Sequence, residues 1–215
     1  MTRRFVIIGQ TATASPEFSL LDLPGTSGRL DVLLRCVRSA LLVSHGLRRD
    51  TIVYLVLLGA GLPGPRAPLG PRVLRIDGSE IRFVRPDERA LALLVQKALA
   101  RVTAPAETGV FVPIRPGLAL ASGDLEAAIA DLGTSAANAY VLEEGARDMR
   151  EGALESEDLV VFVGDNHGFD DATRARLGAL GALPIGIGPL SLHADDAITI
   201  VSNEMDRRRA ARTAT

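Results

Sequence analysis

The chain has 215 residues, 47% of them hydrophobic, which suffices for one compact α/β domain or one with a small extension. A formal net charge of −2 excludes a polycation that coats nucleic acid indiscriminately. A single cysteine, Cys36, excludes an internal disulfide framework and fits a reducing cytoplasm, and no window approaches 18 uninterrupted apolar residues, so no membrane span is expected.

In chain order, Phe5 to Gly9 reads as a buried strand; the apolar run is far too short for a signal-peptide core. Thr11 to Phe18 is turn-like, and Leu23 to Gly28 is a loop with helix-cap chemistry at its end. Leu30, Leu33, Leu34, Val37 and Leu41 repeat at helical spacing, with Gly46 as the expected C-cap. Thr51 to Leu58 is a near-continuous apolar strand of the kind a sheet covered on both faces requires. A Gly/Pro-rich loop spans residues 59–71. A hairpin is expected from Val73–Ile76 and Glu80–Val84, turning on Asp77-Gly78. Pro86 to Arg89 opens a helix carrying Leu91, Leu94, Val95, Ala98 and Leu99, with Asp87 and Glu88 complementing its dipole. Val110 to Ile114 could be extended and Asp124 to Leu132 helical, and the irregular stretch from Thr103 to Ala121 is the best candidate for an internal boundary. Tyr140–Leu142, Leu159–Val163 and Pro184–Ile187 read as strands, Asp170–Leu180 as a helix and Ala194–Asp206 as a closing helix before a frayed polar tail, 207–215. Strands alternating with helices point to a mostly parallel α/β sheet in one domain.

Gly59-Ala60-Gly61-Leu62-Pro63-Gly64 matches the glycine pattern of dinucleotide sites, but Pro63, Pro65, Pro68 and Pro71 forbid the helix such a site needs. Three histidines and one cysteine fall at no metal-ligand spacing, so no metal is expected. Two turns that follow apolar strands remain. The turn Gly164-Asp165-Asn166-His167-Gly168 combines close backbone approach with acid/base groups. The segment Ile187 to Asp196 offers apolar side chains and exposed backbone amides suited to an adenine ring. Taken alone, each turn is equally consistent with an ordinary helix cap.

The ordered set of segments is more specific. Arg4-Phe5-Val6-Ile7, Leu23-Pro24-Gly25, Gly28-Arg29-Leu30-Asp31, Arg35-Cys36-Val37, Leu42 to Asp50, Pro86 to Arg89, Gly164-Asp165, Gly188-Pro189-Leu190, Leu192 to Asp195 and Ile198 to Val201 run almost the full length. Together they resemble the SPOUT-superfamily tRNA pseudouridine-54 N1-methyltransferases, the TrmY family. The resemblance implies a SPOUT-type α/β fold, a mostly parallel sheet with a C-terminal deep trefoil knot. It also implies an RNA-facing and core half at about 1–120, and S-adenosylmethionine held by about 139–206. Homodimerisation and a cytoplasmic tRNA substrate follow from the same likeness. By position, cofactor contacts fall on Leu142, Gly164, Ile187, Gly188, Pro189, Leu190, Ser191 and Leu192. One further contact, often a cysteine in the family, falls on Ala197.

The N1–H of pseudouridine is weakly acidic, so its proton must leave as the methyl group arrives. Asp165 and Asp195 are the candidates to accept it or to orient the base, with His193 third. Arg29, Arg35, Arg38, Arg48 and Arg49 are the candidate RNA contacts; of the 24 basic residues only Lys97 is a lysine, and arginine suits bidentate phosphate contact. Another structured RNA such as ribosomal RNA, or a non-catalytic RNA-binding factor on the same fold, are the competing expectations.

Overall fold

The computed structural model describes residues 2–59, 70–101, 107–152 and 158–213. In chain order the elements are β1 (Arg3–Gly9), the single turn α1 (Leu23–Thr26), α2 (Leu30–Leu41), β2 (Leu42–Val43), β3 (Gly46–Leu47), β4 (Thr51–Leu57) and β5 (Arg72–Asp77). There follow α3 (Glu88–Arg101), β6 (Val112–Arg115), β7 (Leu118–Ser122), α4 (Leu125–Leu132), β8 (Ala139–Leu142), β9 (Leu159–Gly164), α5 (Asp171–Leu180), β10 (Leu183–Ile185) and α6 (Ala194–Thr213).

Eight strands form one sheet in the order β10-β8-β9-β1-β4-β5-β7-β6. The first five run parallel, and β5, β7 and β6 continue the sheet through antiparallel pairings. Period-two alternation sends Phe5 and Ile7 to one face, where α2, α3 and α6 supply Leu33, Val95 and Ile198, and Val6 and Ile8 to the other, where α4 and α5 supply Leu132 and Leu177. Helices cover both faces, so the central strands carry no polar alternation. Each large side chain fully buried there contributes about 1.5–3 kcal/mol.

Several elements depart from the sequence expectation. Gly46 does not cap α2; the helix stops at Leu41, and Arg48 N–H donates to the Leu41 carbonyl at 2.8 Å across the β2–β3 turn. The Asp77 turn forms, with Ile81 N–H donating to the Asp77 carbonyl at 2.9 Å, but Glu80 to Val84 make no strand. Both edges of β5 are already taken by β4 and β7, which leaves a hairpin partner nothing to pair with. In the stretch expected to be irregular, β6 falls on the segment expected to be extended, whereas β7 matches no expected strand; both join the main sheet. The tail is helical to Thr213 because Arg208 pairs with Glu204 at 2.8 Å and donates to the Met149 carbonyl at 2.6 Å. The proline-rich loop expected at 59–71 lies, for residues 60–69, outside the described residues.

Two features set the site's surroundings. After β10 the chain runs against the segment that follows β8: Gly186 N–H donates to the Arg147 carbonyl at 2.8 Å, and Met149 N–H to the Gly186 carbonyl at 2.9 Å. A Cβ on Gly186 would stand 2.3 Å from the Ala146 carbonyl oxygen, so only glycine fits this crossing. At the amino ends of the parallel strands Arg3 is 1% exposed and bonds Asp50 and Asp206, each at 2.9 Å, and the Ser202 carbonyl at 3.2 Å. Arg48 joins at 2.7 Å from Asp206 and so ties the start of β4 to α6.

Candidate functional site

The carboxyl ends of parallel strands are where α/β sheets open a crevice. Here β8, β9 and β10 end around a pocket of about 360 Å³, within the ~300–1,000 Å³ range of small-molecule sites. Eight of the nine cofactor candidates line it: Leu142, Gly164, Ile187, Gly188, Leu190, Ser191, Leu192 and Ala197; Pro189 does not. Gly164 has a local reason to be glycine, since a Cβ there would meet the Gly168 Cα at 2.8 Å. Ala197 is buried on the wall, where its methyl and backbone are what it can offer.

Asp165 lies at the end of β9 and is 8% exposed. Its Oδ2 accepts the Gln10 N–H at 2.7 Å and its Oδ1 the His167 N–H at 2.8 Å. The carboxylate therefore fastens the turn after β9 to the end of β1. Gly168 N–H closes the same turn on the Asp165 carbonyl at 3.0 Å.

A second depression, about 870 Å³, adjoins the first and shares Asp165, Gly168, Ser191, Leu192 and Ala194 with it. Arg29, Arg35, His193 and Asp195 line only this second space. Asp195 sits in the first turn of α6, and among the described residues its carboxylate has no hydrogen-bond partner. His193 is exposed, and its carbonyl accepts the Ala197 N–H at 2.9 Å. Burial pushes the pKa of the Cys36 thiol up, and the charges of Asp195 and Asp165 act the same way.

The arginine candidates divide. Arg29, in a left-handed backbone conformation with φ 66°, grips buried Asp31 through Nε at 3.0 Å and Nη2 at 3.2 Å, and Arg35 reaches the same carboxylate at 3.3 Å. The hydrogen bond and charge of Asp31 hold the Arg29 guanidinium still more firmly protonated. Both arginines keep about two-fifths of their side chains exposed at the mouth of the depression. Arg38 is exposed and, among the described residues, unpaired. Arg48 is paired with Asp206, and Arg49 donates to the carbonyls of Gly78 and Ile81, each at 2.9 Å. Arg49 is exposed and, among the described residues, bonds through Nη1 alone, and both arginines stand at the amino end of β4, away from the depression.

Sequence reasoning passed over Asp31, whose i,i+4 spacing to Arg35 was the available signal. It also missed Glu143, Glu144, Phe169 and Arg174 on the first pocket's wall, which non-local packing brings there. Among the described residues no group of three or more His, Cys, Asp or Glu is placed to hold a metal ion, and no helix is long and apolar enough to cross a membrane.

Residues 2–210 match a protein-family model described as "Putative SAM-dependent RNA methyltransferase". A tRNA (pseudouridine(54)-N(1))-methyltransferase of Methanosarcina mazei is 40% identical over 210 residues, covering 98% of this chain and 93% of that protein. One of the same name from Methanococcoides burtonii is 35% identical over 211 residues, covering 98% and 99%. The crystal structure of Archaeoglobus fulgidus Nep1 bound to S-adenosylhomocysteine superposes with a TM-score of 0.66 at 15% identity, covering 98% of this chain and all of that one, which is a likeness of fold.

Proposed function

The chain belongs to the family of S-adenosylmethionine-dependent RNA methyltransferases, and from that membership we propose that it methylates N1 of pseudouridine in tRNA, at position 54 of the T-loop. One observation carries the reading. A pocket lined largely by aliphatic side chains and glycine backbone, with a charged rim, adjoins across Asp165, Ser191 and Leu192 a depression edged by half-exposed arginines. The first space has the size and apolar lining for an adenosine-bearing cofactor. At the second, Arg29 and Arg35 can meet an RNA backbone, while Asp165, Asp195 and Asp196 face a base turned inward.

The residues present fit S-adenosylmethionine. Leu142, Ile187 and Leu192 offer apolar surface to a ring face, and Gly164 and Gly188 let the backbone come close. When bound, the cofactor supplies an electrophilic methyl group on a sulfonium. The chain has to position the base and take a proton from N1. Asp195 suits the second task, because its carboxylate is unengaged and lines the second space, where the base would enter. Asp165, with both oxygens already accepting backbone N–H groups, suits the first, by holding the turn that separates the two spaces. His193 stands third, on the exposed rim.

Arg29, Arg35 and Arg38 form the RNA patch of this proposal, and Arg48 and Arg49 leave it. Residues 139–206 are the cofactor-holding part, and about 1–120 the RNA-facing and core half. A C-terminal trefoil knot and a homodimer with the cofactor site beside its interface belong to the same reading.

The test is methyl transfer from S-adenosylmethionine to T-arm RNAs carrying pseudouridine or uridine at one position, read by nucleoside mass spectrometry. Product from the pseudouridine RNA alone is expected. Equal product from both would overturn the base requirement. In the same assay Asp195→Asn should lower kcat by about 10²–10⁴-fold with KM for the cofactor unchanged.

A further inference from the structure

Apart from Asp165 and Ser191, which also line the second depression, the polar side chains of the first pocket gather at one rim. There Glu143 and Glu144 follow β8 directly, and Arg174 projects from α5. Arg174 Nη1 lies 3.0 Å from Glu143 Oε1, and its Nε donates to the Phe169 carbonyl at 3.2 Å. Its guanidinium carbon stands 6.0 Å from the centre of the Phe169 ring. These contacts aim the guanidinium but use two of its five donor hydrogens. Glu143 likewise has one oxygen to spare, and both side chains are about half exposed. None of Glu143, Glu144, Phe169 and Arg174 lines the arginine-edged depression. The charged rim therefore belongs to the cofactor space alone.

An exposed pair of this kind contributes little to the fold, roughly 0–1 kcal/mol. What it matches is a ligand carrying an anion and a cation two bonds apart. A carboxylate meets the free Nη hydrogens of Arg174 in the fork geometry that guanidinium favours, and an ammonium meets the spare oxygens of Glu143 and Glu144. Resting on the cofactor reading above, we propose that Glu143 and Arg174 form the subsite for the zwitterionic α-amino-carboxylate end of S-adenosylmethionine. The adenosine part then occupies the aliphatic remainder of the pocket.

Two ligands separate the subsite from the rest of the pocket. S-adenosylhomocysteine carries the amino acid end; 5′-methylthioadenosine keeps the nucleoside and thioether and lacks it. Titration calorimetry on the full chain should show Arg174→Gln binding S-adenosylhomocysteine about tenfold to a hundredfold more weakly, with methylthioadenosine affinity within about twofold of wild type. Glu143→Gln should shift affinities in the same sense by a smaller factor. Arg176→Gln, on the same helix but paired with Glu126 away from the pocket, serves as the control and should change neither. Parallel weakening of both ligands, or of neither, while wild type binds both, overturns the subsite alone. Failure of wild type to bind either ligand overturns the cofactor reading and the subsite with it. Unfolding midpoints of each variant close to wild type exclude misfolding as the cause.

Discussion

Two arginine–aspartate clusters stand at opposite ends of the same sheet. At the amino ends of the parallel strands, Arg3 is 1% exposed and shares Asp50 and Asp206 with Arg48 and the rim residue Arg209. At the carboxyl ends, the buried partner is the acid, Asp31, and the arginines face outward. The inversion matters. A buried arginine held by acids locks α6 to β1 and has nothing to offer a ligand. A buried acid holding exposed arginines orients positive charge toward whatever approaches.

Breaking the locked cluster should have the largest effect. Removing a partner of a buried charge strands that charge, so Asp206→Ala should lower unfolding free energy by about 3 kcal/mol in urea titration, with Asp50 retained as partial compensation. The same cluster sets a pH dependence. Burial opposes ionisation of Asp206, but hydrogen bonds from Arg3 and Arg48 outweigh it and hold the carboxyl below its ordinary value of 3.8. A group depressed in the folded state adds stability that is fully present above the unfolded value and is lost as pH falls through the folded one. Stability should therefore drop below about pH 4, and Asp206→Asn should flatten that drop.

A middle-sized effect is expected at the outward cluster, in binding rather than folding. Arg35→Ala should reduce the salt slope of tRNA affinity by about 1 and cost the fold only about 0–1 kcal/mol, since Asp31 keeps its paired contact with Arg29. A fold loss as large as that of Asp206→Ala would erase the distinction between the two ends. Smallest is Arg38→Ala. This exposed side chain should shift stability by less than about 0.5 kcal/mol, and its effect on the salt slope shows how far along α2 the RNA patch extends.

The same contrast explains what could be read from the sequence. Strands β1, β4 and β9 were legible because burial on both faces writes an unbroken apolar run. Leu118 to Ser122 was not, since its small residues alternate with leucine and carry no strand signature until β5 accepts them. Glu80 to Val84 looked like a hairpin arm because the turn chemistry at Asp77 is genuine, whereas the edge it needed is occupied. At the site, Gly164 and the 187–192 segment stand out as turns after strands. Glu143 and Arg174 do not, because only the packing of α5 beside the end of β8 joins them. Nor could the sequence separate Arg48 from Arg35: the partner of Arg48 lies 158 residues away on α6, and that of Arg35 lies four residues back on its own helix.

The central claim is a methyl group delivered to one atom of one nucleotide through the joined spaces at the carboxyl ends of the strands. It is tested most directly with full-length tRNA transcripts carrying a single pseudouridine at position 54 or at position 55, incubated with S-adenosylmethionine and mapped by mass spectrometry of nuclease fragments. The account predicts N1-methylpseudouridine at position 54 and no methylation of the transcript modified at 55. A methyl group on a ribose or at position 55, or an unmodified position 54 while S-adenosylhomocysteine binds the pocket, would contradict it.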